Sequence, residues 1–323
     1  MAIPAVKQQS KRSGYLMKRM KRTIIAVMVL IFLGGPTAVY ASSGFSGEGM
    51  FSWFSFFQSY QQEKTMEEEP AISYYNQEVR DFNVPAGQGA RQVPVLMYHH
   101  ILPSEHNHYN SPAVLNLESF EAQMQYLADA GFVTLTLKEF ERFLNGELRI
   151  PEKSLLITFD DGYQSETVYA EPVLRQHGFT AASFLITDYI PSTTANFRHD
   201  RLTYKSMDEV HQSLDVFEYG SHTQNLHYFE NESVNRGAAV TKSYESVWHD
   251  IHQSREVIPS PYFAYPYGHY NSTLIGILEN LDYRLAFTTQ EVVARPSNDP
   301  YKIGRFAITP SVRMGRFQQI VNQ

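Results

Sequence analysis

The sequence predicts a barrel-like α/β fold, a parallel sheet wrapped by helices. Apolar runs of strand length alternate with helix-periodic stretches from about Val93 onward, and short loops join them. Asp160, Asp161, His222 and Tyr267 each follow such a run, at the strand ends where folds of this class gather their chemistry.

The elements follow in order. "VPVLMYHHI" opens with a buried strand over Val93–Met97. "LESFEAQMQYLADAG" spaces Phe120, Met124 and Leu127 as a helix stopped at Gly131. "FVTLTL" reads as a strand, "KEFERFLNG" as a helix and "SLLITF" as a strand. "SETVYAEPVLRQHG" is a helix ending at Gly178, and "TAASFLI" a strand. The pattern continues through the helix "MDEVHQSL", the strand "VFEYGSH" and the helix "YESVWHDIHQSREVI". "YFAYPYG", "NSTLIGILENL", "YRLAFTT" and "YKIGRFAI" supply strand, helix, strand and a last strand.

The N-terminal part differs. Residues 1–41 carry seven basic residues and no acid, then the apolar run Ile24–Leu33 and small residues up to Ala41. That order reads as a secretory signal; an uncleaved membrane anchor is the alternative, although Gly34, Gly35 and Pro36 interrupt the span. Either places the bulk of the chain outside the cytoplasm, at the cell surface or beyond. Residues 42–92, with the aromatic cluster Met50–Phe57 and the Gly-rich "PAGQGA", read as a linker, and 93–323 as the folded domain.

Composition excludes several chemistries. Cysteine is absent, so disulfides and thiolate sites are ruled out and His and carboxylates remain as metal ligands. The chain is net −7; without residues 1–41 it holds 20 basic against 34 acidic residues, net −14. So acidic a surface argues against nucleic acid or anionic lipid and suits a cationic polymer. Nothing in the sequence fixes an oligomeric state.

The adjacent carboxylates of "SLLITFDDGY" repel each other, which a turn tolerates and a bound cation relieves. "GSHTQNLH" brings His222 and His227 to a strand end, where two imidazoles can turn toward one point. With one Asp they form a His₂-carboxylate set that leaves coordination positions open, as hydrolytic zinc sites do. His249 and His252 of "HDIH" read instead as a solvated helix face. A phosphotransferase reading of "FDDG" fails because Gly162 stands where a second Asp is needed.

"TFDDG", "SHTQNLH" and "FAYPYG", in this order, resemble the NodB-homology polysaccharide deacetylases, carbohydrate esterase family 4, over roughly 93–310. The resemblance implies a distorted (β/α) barrel that removes acetyl groups from a polysaccharide with a divalent metal, Zn²⁺, with Co²⁺ or Ni²⁺ as substitutes. By position, Asp161, His222 and His227 would be the ligands and Asp160 the catalytic base. Tyr267 would give its backbone N–H to the oxyanion.

This sequence departs from the family pattern in several places. The histidines stand five residues apart where four is usual, and the third motif's arginine falls at Ala264. The tryptophan motif and the late Leu-x-His are missing, with Arg305 of "KIGRF" in the latter's neighbourhood. The five-residue spacing, the Pro-Tyr-Gly motif without arginine and the early "YHH" resemble the deacetylases of poly-β-1,6-N-acetylglucosamine, which implies an N-acetylglucosamine polymer as substrate. A peptidoglycan or chitin-type deacetylase, or a non-catalytic glycan-binding protein, are the competing expectations. The missing acid is expected at His99 or His100, one of which should face the mouth, since strand side chains alternate. His99 is preferred by the same resemblance, either as the acid or as a group that orients Asp160 in place of the arginine.

Overall fold

The computed structural model describes residues 73–109, 111–230 and 235–323. The expected signal segment and the Met50–Phe57 cluster lie outside them. Among the described residues no helix is long and apolar enough to cross a membrane.

Strands β1 (Val95–Tyr98), β2 (His100–Leu102) and β3 (Val114–Asn116) come first, with β2 and β3 forming a small parallel pair. Helix α1 (Leu117–Asp129), strand β4 (Val133–Thr134) and helix α2 (Leu137–Leu144) lead into β5 (Ser154–Asp161). Helix α3 (Glu171–Gln176), β6 (Ala181–Leu185), α4 (Met207–Gln212) and β7 (Phe217–Ser221) follow. The chain ends with α5 (Tyr244–Val257), β8 (Tyr262–Ala264), α6 (Ser272–Asn280), β9 (Leu285–Phe287), β10 (Phe306–Ala307) and α7 (Met314–Val321).

The main sheet is parallel and runs β10-β1-β5-β6-β7-β8-β9, with β4 beside β5. It curls so that its two ends approach each other: Ile303 N–H donates to Ala286 O at 3.0 Å and Thr288 N–H to Ile303 O at 2.7 Å. The expected barrel-like α/β fold is therefore present. Alternation along β5 separates two apolar packings. Leu155, Ile157 and Phe159 pack with Phe120, Met124 and Leu127 of α1, outside the curl. Leu156 joins Val95, Ala182, Phe184, Ala264 and Phe287 on the inside. Asp160 is in phase with Leu156 and Thr158, so the first carboxylate of the pair points into that interior.

Several elements differ from expectation for local reasons. The strand read at "FVTLTL" stops at Thr134 because Thr136 and Glu139 form a reciprocal capping box that draws Leu137 into α2. The helix expected from Ser165 opens with a π turn over Glu166–Ala170 before α3. Strand β1 and β2 are broken at His99. Helix α7, which the sequence reading did not anticipate, buries Phe317, Ile320 and Val321.

Residues 73–92, ahead of the expected boundary at Val93, belong to the same compact unit as the barrel. From Ser73 to Gln92 the chain has no helix or strand, but it is bonded to the barrel. Tyr74 O accepts from Tyr219 N–H at 2.6 Å, on the side of β7 where β8 pairs only at Ser221. Arg80 pairs with the buried Glu139 at 2.6 Å.

Candidate active site

Asp161, His222 and His227 converge: one ligand atom from each lies within 4.8 Å of the others, the only such cluster among the described residues. His222 Nε2 and His227 Nε2 stand 3.6 and 3.4 Å from Asp161 Oδ1. Those spacings exceed a good hydrogen bond. They match the roughly 3.4 Å between donors sharing one tetrahedral ion with bonds of about 2.1 Å. Asp161 Oδ1 is buried and has no hydrogen-bond partner, a cost that a cation would remove. His222 Nδ1 lies 2.7 Å from the Ala264 carbonyl, so Nδ1–H donates there and Nε2 keeps its lone pair. Burial lowers the His222 pKa to about 4, against the opposing pull of Asp160 and Asp161, and keeps the ring neutral at ordinary pH. The residues fit a divalent metal.

Backbone strain marks the loops that carry this cluster. Asp161 (φ 77°), Thr223 (φ 75°) and Tyr267 (φ 58°) are left-handed without being glycine, at about 1–2 kcal/mol each. Gly162 follows Asp161 at φ 78°, and a Cβ there would meet Leu185 at 2.6 Å, so the sharp exit from β5 requires glycine.

The five-residue histidine spacing has a visible support. Asp250, on the buried face of α5 with Val247, Ile251 and Ser254, accepts from Gln224 N–H and Asn225 N–H, both at 2.8 Å. Thr223 Oγ1 accepts from Leu226 N–H at 3.2 Å. The neighbouring turn adds Thr187 N–H to Thr223 O (3.1 Å) and Asp188 N–H to Gln224 O (3.0 Å). The longer loop is therefore tied down at nearly every residue between the two histidines.

Asp160 is buried and gripped by Arg305, whose Nη1 and Nη2 each donate to one carboxylate oxygen at 2.7 Å. Arg305 is itself fully buried, and it also donates to Thr288 O and Thr158 Oγ1. Burial alone would raise the Asp160 pKa; Arg305, His222 and His99 outweigh it and hold the carboxyl well below the usual carboxylate range. The arginine missing at Ala264 is thus replaced in space from the far end of the chain. The sequence held one signal for this: Arg305 is in phase with the inward-facing Ile303, and a buried arginine requires a carboxylate. Asp250 offered the same signal on its helix.

The two early histidines lie in different surroundings, with His99 between β1 and β2 and His100 opening β2. His100 turns away: Nδ1 is 2.6 Å from Ser165 Oγ, and its ring packs on Tyr163 and Tyr109. Burial, with a smaller push from His199, lowers its pKa to about 4. His99 is half-buried, and its charge is felt at Asp160. Since Arg305 already orients Asp160, the orienting role considered for His99 is filled. Tyr267 lies in the Pro266–Gly268 turn with its ring 4.5 Å from that of His227, and its N–H has no hydrogen-bond partner among the described residues. His249 and His252 stay on α5 away from the cluster, with His252 stacked on Trp248.

A curled parallel sheet with a carboxylate–histidine cluster at its strand ends, beside an arginine-held carboxylate, is the arrangement of a hydrolase on a barrel-like α/β fold. Residues 148–286 match the family model described as polysaccharide deacetylase. The chain is 31% identical over 201 residues to the poly-β-1,6-N-acetyl-D-glucosamine N-deacetylase of Staphylococcus epidermidis, covering 59% of this chain and 67% of that one. It is 31% identical over 232 residues to YxkH of Bacillus subtilis, covering 70% and 75%. The solved structure of IcaB from Ammonifex degensii superposes with a TM-score of 0.61 at 26% identity, covering 73% of this chain and 99% of that one. The chain belongs to the polysaccharide deacetylase family, and it is a polysaccharide deacetylase of NodB-homology fold.

Proposed function

We propose that this chain removes N-acetyl groups from an extracellular N-acetylglucosamine polymer, poly-β-1,6-N-acetylglucosamine, using one divalent ion held by Asp161, His222 and His227. The observation that carries the metal is the convergence of those three side chains around a buried oxygen that nothing else satisfies. The substrate rests on the 31% identity to a relative named for that reaction. Export through residues 1–41 belongs to the same reading, supported by their basic and apolar runs.

When bound, Zn²⁺, or Co²⁺ or Ni²⁺ in its place, supplies a Lewis acid that polarises the acetyl carbonyl and acidifies water. Asp160 takes the proton of the attacking water, and Arg305 keeps it ionised and aimed. The Tyr267 N–H donates to the carbonyl oxygen as charge grows there; one such donor is worth on the order of 3 kcal/mol. His99 gives its proton to the nitrogen as the C–N bond breaks, which an amine leaving group requires.

The test is acetate release from poly-β-1,6-N-acetylglucosamine, chitin oligomers and peptidoglycan, with and without chelator. Release from the β-1,6 polymer, lost on chelation and restored by Zn²⁺, is expected; His222→Ala should bind no metal and release none. Release only from the other glycans would reassign the substrate, and full turnover by a metal-free enzyme would end the metal assignment.

A further inference from the structure

Aromatic rings approach the ligand cluster on two fronts. On one, the Tyr267 ring lies against His227 (4.5 Å) and stacks on Phe229 (4.1 Å, 22°). On the other, Tyr163 stacks on Tyr204 (5.3 Å, 23°), and Tyr204 meets Tyr189 at 4.8 Å and 60°. Tyr163 is buried, while Tyr189 is 36% exposed. The second run therefore ends in a ring with an uncovered surface.

This second run is fixed to the site by backbone hydrogen bonds. Tyr163 and Tyr204 form an antiparallel bridge, flanked by Gln164 N–H to Thr203 O (2.8 Å) and Lys205 N–H to Gly162 O (3.0 Å). Tyr189 ends the turn whose Thr187 and Asp188 N–H groups bond the loop between His222 and His227. The buried Lys205–Glu166 ion pair, 2.7 Å, locks the base of the arrangement. Ordering costs have been met before any ligand arrives.

We propose that Tyr189, backed by Tyr204 and Tyr163, is a stacking wall for a pyranose ring of the glycan next to the one that is deacetylated. This deepens the proposed function and rests on it for the substrate class. A pyranose presents C–H groups on its faces and hydroxyls at its rim, which suits an aromatic face with a phenol at its edge. The Tyr204 phenol offers an O–H donor beside that face. A chain substrate is then held by more than its reacting sugar.

Binding can be separated from turnover by calorimetry on the metal-free protein. The probes are β-1,6- and β-1,4-linked N-acetylglucosamine pentamers and the monosaccharide. At least one pentamer should bind wild type more tightly than the monosaccharide does. Tyr189→Ala should weaken that pentamer about three- to tenfold, the worth of one aromatic contact, with no change for the monosaccharide. Tyr189→Phe should bind like wild type. Unchanged pentamer affinity in Tyr189→Ala, or a wild type that favours neither pentamer over the monosaccharide, overturns the wall. Pentamer binding through Tyr189 without acetate release refutes the function and leaves the wall standing.

Discussion

Asp160 and Arg305 meet inside the barrel as a two-contact ion pair, both bonds 2.7 Å and both side chains buried. The pair joins β5 to the seam that draws the ends of the sheet together, so one contact serves both closure and the proposed base. Breaking such a pair leaves a buried charge, at a cost of about 3–5 kcal/mol. Its carboxyl is held below the ordinary range, so the stability it contributes is present above that range. That contribution is lost progressively as pH falls from the ordinary carboxylate range to the folded value.

Arg305→Met should therefore keep the metal, lower kcat by a large part of the roughly 10²- to 10⁴-fold that a positioned base contributes, and move the acidic edge of the rate profile upward. Arg305→Lys should recover part of kcat. Asp160→Asn should keep the metal and lose the whole factor. Metal content and pH–rate profiles check this; wild-type kcat in Arg305→Met would remove the positioning role.

Much of the site is legible in the sequence itself. The carboxylate pair, the two loop histidines and the Pro-Tyr-Gly turn were readable because each sits at the end of an apolar run that can only be a buried strand. Arg305 and Asp250 were not assigned their partners, because those lie 145 and about 25 residues away and no local periodicity encodes such a pairing. The signal they did carry was a charge at a position whose neighbours in phase are apolar. The C-terminal helix and the barrel contacts of residues 73–92 went unread because short, polar-rich segments gain their structure from packing.

Asp250→Ala removes the acceptor for two backbone N–H groups of the ligand loop. It should weaken metal binding about 10- to 100-fold, as loss of an outer support does, with kcat nearly restored at saturating metal. Asp250→Asn should fall between. Competition with a chelator of known affinity reads this directly, and an unchanged metal Kd in Asp250→Ala would show that the loop holds itself.

His99→Ala should retain metal and lose kcat. Because Arg305 already positions Asp160, the alkaline limb of the rate profile should go with it and the acidic limb stay. An acidic limb that shifts while the alkaline limb remains would return His99 to an orienting role, and wild-type kcat would exclude both.

The last prediction concerns Glu218, which binds the N-terminal stretch and α2 to β7. Its Oε1 accepts from Asn76 N–H at 2.6 Å and its Oε2 from Leu137 N–H at 2.5 Å. Burial raises its pKa from 4.5 to about 7, and the two N–H donors offset that only in part. The native carboxyl thus keeps its proton over a range where the unfolded chain has released it. Stability should fall as pH rises from about 4.5 to about 7 and level off beyond, because the native state then binds more protons than the unfolded one. Glu218→Gln has no proton to lose. Its amide nitrogen cannot accept one of the two N–H groups, so its melting temperature should be offset downward, by about 1–3 kcal/mol in stability. The decline between about pH 5 and about pH 7 should nevertheless be shallower than in wild type. Thermal unfolding of both proteins across that range decides it, and parallel curves would mean that Glu218 is ionised in the fold.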